Sequence, residues 1–113
     1  MAFKVVKSLT VKWRVDIEQP TDNNKTEKFD FLATFKILSE EDYKKMAESS
    51  KDDREFISKF LVGWEDLVDE NDKPLEYSKA NVLSLASLAF VRSGIFKAYH
   101  AAAGGIGDPE IKN

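Results

Sequence analysis

The chain has no cysteine and only one histidine among its 113 residues. Without cysteine, it cannot form a disulfide framework, a thiolate zinc site or a cysteine nucleophile. The lone histidine, His100, has no partner at metal-ligand spacing, and neither a GxSxG elbow nor a glycine-rich phosphate loop occurs. The late glycines Gly104 and Gly105 follow a helical pattern instead of opening one. The sequence therefore predicts no catalytic residue, no cofactor site and no metal site, and hence a protein that is not an enzyme.

The acidic run Asp69–Asp72 does not satisfy the pattern of a calcium loop. Counted from Asp69, the fifth position is Lys73, the sixth is Pro74 where an EF-hand has glycine, and the twelfth is Ala80 where it has glutamate. We therefore expect a solvated turn at this position.

Long hydrophobic runs are absent as well. The longest nearly uncharged stretch, Ala80–Val91, is closed by Arg92 and falls short of the roughly 20 residues that a membrane-spanning helix needs. The opening MAFKVVKSLTVKW lacks the apolar core and cleavage site of a secretory signal. We expect neither a membrane segment nor a secretory signal.

Basic residues are scattered rather than clustered. The net charge is −3, and residues 39–80 carry 7 basic and 13 acidic groups, a local net charge of −6. The negative charge of this segment repels a phosphate backbone, so no nucleic-acid partner is expected.

Two stretches alternate between apolar and polar residues, as half-buried strands do. The first runs from Leu9 to Glu18 and the second from Glu27 to Ile37, and an antiparallel pair is predicted. The connection between them, residues 19–26, is rich in turn formers and predicts an eight-residue loop. The apolar faces consist of Leu9, Val11, Trp13, Val15 and Ile17 on the first strand, and Phe29, Phe31, Ala33, Phe35 and Ile37 on the second.

Helical signals dominate after residue 38. Ser39 is placed to cap a short helix that reaches about Glu48, with acidic residues in its first turn. Asp52 or Asp53 can cap a second helix, whose apolar stripe runs through residues 56–64 and ends at Gly63 and Trp64.

Residues 66–77 predict a small hairpin or an ordered loop, stiffened by Pro74. Ser78 then caps a very apolar helical segment, which Ser87 or the Ser93-Gly94 pair bends or breaks in two. Gly104 is the expected C-cap of this segment.

Together these elements predict an α+β fold in which an N-terminal antiparallel two-strand hairpin packs with a C-terminal bundle of three to four helices. A single domain is expected over residues 1–103, followed by a flexible tail at 104–113. The chain holds 13 aromatic residues, which is more apolar surface than one small domain easily hides, so a homo-oligomer or a protein partner is expected. The protein-binding or packing candidates are Phe60, Gly63, Trp64, Pro74, Tyr77, Phe90, Phe96 and Tyr99.

Residues 56–100 resemble the tail assembly chaperones of long-tailed bacteriophages. The resemblance rests on a helix ending in Leu61-Val62-Gly63-Trp64, an acidic turn at Asp69–Asp72, the return Pro74-Leu75-Glu76-Tyr77-Ser78, and closing helices that end near Ala98-Tyr99. The chain departs from the family in two places. Ser93-Gly94 interrupts the last helix, and Lys73 stands where the family's acidic loop often has glycine.

The resemblance implies a non-catalytic protein of the bacterial host cytoplasm. Its expected partners are the tape measure protein, which it keeps soluble, and the tail-tube protein that polymerises around this client. The chaperone is then absent from the mature virion. In this reading Phe60, Trp64 and Tyr99 organise the helix packing, while the strand face and the last helix contact other copies or the client. The alternative is a small oligomeric virion structural protein, such as a tail or head-completion subunit.

Overall fold

The computed structural model describes residues 1–6 and 8–107 of the chain. Within these residues the chain forms an antiparallel sheet of three strands and four helices, so the predicted α+β fold with an N-terminal hairpin and C-terminal helices is confirmed. In chain order the elements are β1 (Leu9–Thr21), β2 (Lys25–Ile37), α1 (Glu40–Ser49), α2 (Asp53–Phe60), β3 (Leu61–Glu65), α3 (Lys79–Leu85) and α4 (Ala89–Ala103).

The hairpin of β1 and β2 is longer and its turn is tighter than predicted. Both strands have 13 residues and pair over their full length, up to the pair Thr21 and Lys25. The eight-residue loop predicted at 19–26 is therefore wrong, because only three residues, Asp22–Asn24, connect the strands. Asn23 and Asn24 have φ angles of 63° and 62°, a left-handed conformation that asparagine tolerates better than most residues. This conformation lets the chain reverse within three residues.

The predicted second helix ends earlier than expected, and its last part is a strand. The helix stops at Phe60, and β3 pairs antiparallel with β2. An irregularity in the register lets Leu61 and Trp64, three residues apart, pair with Phe35 and Ala33, which are only two residues apart. The extra residue in β3 therefore places the side chains of Leu61 and Trp64 on the same face of the sheet. Their spacing of three residues is also the spacing of neighbours on one face of a helix.

Three helices begin at the side chains that the sequence predicted as caps. Ser39 Oγ accepts a hydrogen bond from the Asp42 N–H at 3.1 Å, and Ser78 Oγ accepts one from the Asn81 N–H at 3.1 Å. Of the two candidates for α2, Asp52 is the cap, and its carboxylate accepts a hydrogen bond from the backbone of the third helical residue at 3.0 Å. Such caps satisfy backbone donors that the helix itself leaves unpaired.

The apolar C-terminal segment breaks at Ser87, one of its two predicted breakpoints. The axes of α3 and α4 differ by 109°. The other candidate, Ser93-Gly94, lies inside the continuous α4. Among the described residues, no helix is by itself long and apolar enough to cross a membrane, and α3 with α4 satisfies that test only as this bent pair.

Gly94 explains why α4 can pack closely on β1. A Cβ atom at this position would lie 2.5 Å from the backbone oxygen of Asp16 and 2.8 Å from Cδ1 of Ile17. Real side chains do not approach backbone atoms so closely, so only glycine fits here without displacing the helix.

One hydrophobic core lies between the sheet and the helices. The solvent face of the sheet carries the charged residues of β1 and β2, whereas the other face is covered by α2 and α4. Ala33 is small and sits between Trp13 on β1 and Trp64 on β3 in the same cross-strand row. The buried residues are Val15, Ile17, Phe31, Ala33, Phe35, Phe56, Ile57, Phe60, Leu61, Val82, Ala86, Val91, Ile95, Ala98 and Tyr99.

The end of α4 agrees with the predicted C-cap at Gly104. The following residue, Gly105, has a φ angle of 70°, and the Ile106 N–H donates to the Ala101 carbonyl at 2.8 Å. This combination of a left-handed glycine and a six-residue hydrogen bond is a Schellman motif. The rest of the predicted flexible tail, residues 108–113, lies outside the described residues.

Candidate functional site

Leu61, Trp64, Leu75 and Tyr77, which belong to the segments that carry the family resemblance, contact one another around β3. The indole N–H of Trp64 donates to the Leu75 carbonyl at 2.8 Å, and the Tyr77 hydroxyl donates to the Leu61 carbonyl at 2.6 Å. The rings of Trp64 and Tyr77 meet edge to face, with centroids 5.0 Å apart. The acidic loop is therefore fastened to the sheet edge by two aromatic side chains that each combine an apolar body with a polar tip.

The acidic loop is an ordered turn held by its own backbone hydrogen bonds and by the carboxylate of Asp69. Val68 and Pro74 form an antiparallel bridge across its base. Asp69 Oδ1 accepts hydrogen bonds from the N–H groups of Asn71 at 2.8 Å and Lys73 at 3.1 Å. The left-handed position of the turn is Asp72, with a φ angle of 61°. An aspartate thus takes the conformation for which a turn would otherwise select glycine.

Asp69 uses its oxygen to organise the backbone, as expected of a solvated turn. Across residues 1–6 and 8–107, no group of three or more histidine, aspartate and glutamate side chains is placed to hold a metal ion. The predicted absence of a metal site therefore stays a prediction for the whole chain.

The second set of candidate residues forms an aromatic cluster beneath the sheet. Phe60 and Tyr99 have ring centroids 4.3 Å apart, and Phe96 packs 6.0 Å from Phe60. Phe60 and Tyr99 are fully buried, at 0% and 1% exposure, whereas Phe96 and Phe90 are half-buried. Phe60 and Tyr99 therefore lie in the core, and neither is free to contact a partner.

Tyrosine hydroxyls join separate elements around this cluster. The Tyr99 hydroxyl accepts a hydrogen bond from the Leu38 N–H at 3.0 Å, and the Tyr43 hydroxyl lies 3.0 Å from Nε2 of His100. Burial raises the pKa of Tyr99 above its ordinary value, and also the pKa values of Tyr43 and Tyr77. His100 is thus engaged with a phenol at the end of α4, and no described serine or carboxylate hydrogen-bonds to it.

Two surface hollows lie near these groups. One is lined by Asp52, Asp53, Arg54 and Arg92, where Arg54 already forms an ion pair with Asp52 at 3.0 Å. The other lies beside the acidic loop and is lined by Asp69, Glu70, Leu75, Asn81, Ser84, Leu85 and Leu88. Neither hollow brings a nucleophile next to a histidine, so neither has the minimal geometry of a nucleophilic active site.

The structure thus brings the eight candidate residues together as two groups rather than as one surface. Gly63, Trp64, Pro74 and Tyr77 belong to the unit around β3 and its loop. The other candidates, Phe60, Phe90, Phe96 and Tyr99, lie on α2 and α4. Most of the apolar strand face proposed for partner contacts is covered by the chain's own helices, because a two-strand hairpin cannot leave so many bulky side chains in water. Leu9 and Phe29, toward opposite ends of the hairpin, stay 47% and 49% exposed.

A surface that sequence reasoning missed is the N-terminal arm, residues 1–6. This arm has no secondary structure and precedes β1. Its side chains of Phe3, Val5 and Val6 are 87%, 83% and 53% exposed. The hydrophobic alternation that predicts a strand begins only at Leu9, and in the described part of the chain the apolar residues before it pair with no strand.

Comparison of the chain with protein-family models, with curated proteins and with solved structures finds no match.

Proposed function

We propose that this chain is a non-catalytic tail assembly chaperone of a long-tailed bacteriophage or prophage. In this role it acts in the host cytoplasm, binds the tape measure protein, keeps it soluble and helps to recruit tail-tube subunits, and it does not remain in the mature virion. The starting point is the resemblance of residues 56–100 to that family. In support, Leu61, Trp64, Leu75 and Tyr77 from the quoted segments contact one another around β3, and Val68 bridges to Pro74.

The observation that carries the proposal is the exposed apolar arm at residues 1–6. Phe3 and Val5 are more than four-fifths exposed, and they lie in a segment that forms neither helix nor strand. Exposed apolar side chains in water favour association with another apolar surface, at about 25 cal/mol per Å² buried. A tape measure protein presents long apolar helical stripes, and a linear apolar arm can cover part of such a stripe.

The charge distribution supports a protein client over a nucleic acid. The sequence has a net charge of −3, and its ion pairs on the sheet face combine both signs. A nucleic-acid surface would require clustered basic residues.

The test is co-expression of this chain with the longest helix-rich reading frame encoded nearby, followed by pull-down and light scattering. The proposal predicts that this partner becomes soluble only when the chain is present, and that the complex contains many copies of the chain. A partner that stays insoluble and unbound would contradict it.

A virion structural subunit is the second candidate, because β1 is an edge strand of the sheet in the described part of the chain and edge strands can join subunits in assemblies. Quantitative mass spectrometry of purified particles separates the two functions. A fixed copy number in mature particles favours the structural subunit, and absence from them favours the chaperone.

A further inference from the structure

The hollow beside the acidic loop, which we call the acidic hollow, combines leucine side chains with negative charge. Its apolar lining is Leu75, Leu85 and Leu88, and the charged residues of its described lining, Asp69 and Glu70, are both acidic. In the described part of the chain neither carboxylate forms an ion pair. Its volume of about 460 Å³ lies in the range of roughly 300–1,000 Å³ that is usual for ligand pockets.

Hydrogen bonds hold the two sides of the acidic hollow in place. The side-chain amide of Asn81 on α3 donates to the Glu76 carbonyl at 2.7 Å, which joins this helix to the end of the loop. The indole N–H of Trp64 holds the Leu75 carbonyl at 2.8 Å. A site that is already ordered loses little conformational entropy when a ligand binds.

The N-terminal arm has the complementary chemistry. Phe3 and Val5 are 87% and 83% exposed, and Lys4 lies between them. Residues 1–7 read MAFKVVK, with two lysines, and the sequence has no acidic residue before Asp16. In the described part of the chain Lys4 forms no ion pair. The arm therefore offers apolar side chains and positive charge within a few residues.

We propose that the acidic hollow binds the N-terminal arm of a second copy of this chain. Phe3 and Val5 of the arm pack on the leucines of the hollow, and Lys4 lies beside Glu70. Apolar surface that each copy leaves in water is then covered on both sides. The opposite charges select the arm as the occupant, because complementary charges exclude wrong partners more than they add affinity.

The C-terminal segment has the wrong charge for this hollow. Ile106 is 68% exposed, so this segment also offers an apolar side chain. It is followed in the sequence by Asp108 and Glu110. These carboxylates would be repelled by Asp69 and Glu70. Of the two exposed apolar segments near the ends of the described chain, only the arm matches the hollow in charge.

The position of the hollow favours the arm of a second copy over the arm of the same copy. The arm leads into β1, which is at one edge of the sheet, whereas the loop that lines the hollow is fastened to β3 at the other edge. No residue of the arm belongs to the described lining of the hollow. Each copy both donates an arm and accepts one, so reciprocal exchange closes a two-fold dimer.

The same arm is proposed above to bind the client, so one arm cannot make both contacts at once. The acidic hollow holds the arm while no client is present, and the client competes for it. This competition rests on the proposed function, whereas the pairing of two copies does not.

The test uses two altered chains, each lacking one side of the contact. The arm-altered chain carries Phe3→Ser and Val5→Ser. The hollow-altered chain carries Leu88→Ser and Glu70→Lys, both at exposed positions. Leu88 is the N-cap of α4, where serine is favoured, so this change is compatible with the fold. Loss of the apolar contacts should weaken association by about a hundredfold or more.

Sedimentation equilibrium without any client should give the wild type about twice the monomer mass of 12.8 kDa, and each altered chain alone the monomer mass. A mixture of the two altered chains should form a dimer, because the intact arm of one fits the intact hollow of the other. This dimer should need a higher concentration than the wild type, since it has one contact instead of two. Its formation also shows that both altered chains are folded.

The matched control carries Val62→Ser and Glu48→Lys, the same kinds of change at exposed positions outside both surfaces, and it should remain dimeric. A monomeric wild type would overturn the proposal, whether the hollow is empty or holds the arm of its own copy. A hollow-altered chain that stays dimeric would show that the arms bind elsewhere. A mixture that stays monomeric would also overturn it.

The contact itself can be located by zero-length cross-linking of lysine to carboxylate with a carbodiimide. Wild-type chain labelled with nitrogen-15 is mixed with unlabelled chain, so that mass spectrometry separates links between copies from links within one. We expect Lys4 to be linked to Glu70 or Asp69 of another copy. Equal yields for links from Lys4 to Glu48, or links from Lys4 confined to one copy, would contradict the proposal.

Discussion

Tyr99 on α4 holds the end of β2 through its hydroxyl, which accepts a hydrogen bond from the backbone N–H of Leu38 at 3.0 Å. Its ring meets Phe35 edge to face at 5.6 Å and packs on Phe60. One side chain therefore joins the hairpin to the last helix by an apolar contact and a polar one. Removing either contact should measurably lower the free energy of unfolding.

Tyr99→Phe keeps the ring and removes the hydroxyl, so the Leu38 N–H loses its partner. An unsatisfied donor of this kind costs about 1–3 kcal/mol, and we expect the free energy of unfolding in urea to fall by that amount. Tyr43→Phe is the matched control, because among the described residues the Tyr43 hydroxyl hydrogen-bonds only to the exposed His100, and its effect should be smaller. Equal losses in the two variants would contradict the role assigned to Tyr99.

Gly94→Ala should destabilise the protein although alanine is the better helix former. The substitution gains about 1 kcal/mol of helix propensity. The new Cβ would lie 2.5 Å from the Asp16 backbone oxygen, and such overpacking costs about 1–3 kcal/mol or more. We expect a net loss of unfolding free energy in urea.

Gly63→Ala provides the comparison for this prediction. A Cβ at Gly63 would meet Thr34 at 3.4 Å, an ordinary contact, so we expect a change within about 0.5 kcal/mol. A Gly94→Ala variant as stable as Gly63→Ala would show that α4 does not need this close approach to β1.

The sequence predicted most of the fold because its signals were local. The alternation of β1 and β2 and the caps at Ser39 and Ser78 each depend on a few neighbouring residues, and all are present in the structure. β3 was missed because its bulge gives Leu61 and Trp64 the spacing of a helix. The three-residue turn was missed because left-handed asparagines are tolerated rather than required by their sequence.

The candidate site was harder to predict because it depends on tertiary contacts. Trp64 and Tyr77 were identified as important, yet their hydrogen bonds to Leu75 and Leu61 follow from the position of the loop at the sheet edge. The sequence of the exposed N-terminal arm shows no apolar periodicity. Nothing in it therefore indicated that its apolar side chains would stay outside the core.

Trp64→Phe should loosen the acidic loop. It removes the indole donor to Leu75, a hydrogen bond worth about 1 kcal/mol, while keeping an aromatic ring near Tyr77. We expect faster hydrogen–deuterium exchange of the amides in residues 66–77. The Trp13→Phe variant makes the same chemical change on the other side of Ala33 and should leave exchange in this loop as in the wild type.

Alkaline pH should destabilise the fold through its tyrosines. Burial raises the folded-state pKa of Tyr99 above the value of 10.0 that it has when unfolded, so the neutral phenol is favoured by folding. The contribution of the neutral Tyr99 phenol to the free energy of unfolding is fully present below about pH 10. It is lost as the pH rises through the folded-state pKa of Tyr99. Tyr43 and Tyr77 contribute in the same direction, for the same principal reason.

Urea unfolding on both sides of about pH 10 measures this dependence. Tyr99→Phe removes one of the three groups, so its stability should decline less steeply with pH than that of the wild type. An identical slope in the two proteins would contradict a raised pKa at Tyr99.

The N-terminal arm permits the most direct test of the chaperone proposal. The purified helix-rich client is diluted from denaturant, and its light scattering is followed with increasing amounts of wild-type chain. A second series uses an arm variant with Phe3, Val5 and Val6 each replaced by serine, and a control variant with the exposed Val68 and Leu88 replaced by serine. We predict that the wild type and the control suppress scattering and that the arm variant does not. Unsuppressed scattering with the wild-type chain would contradict the chaperone function.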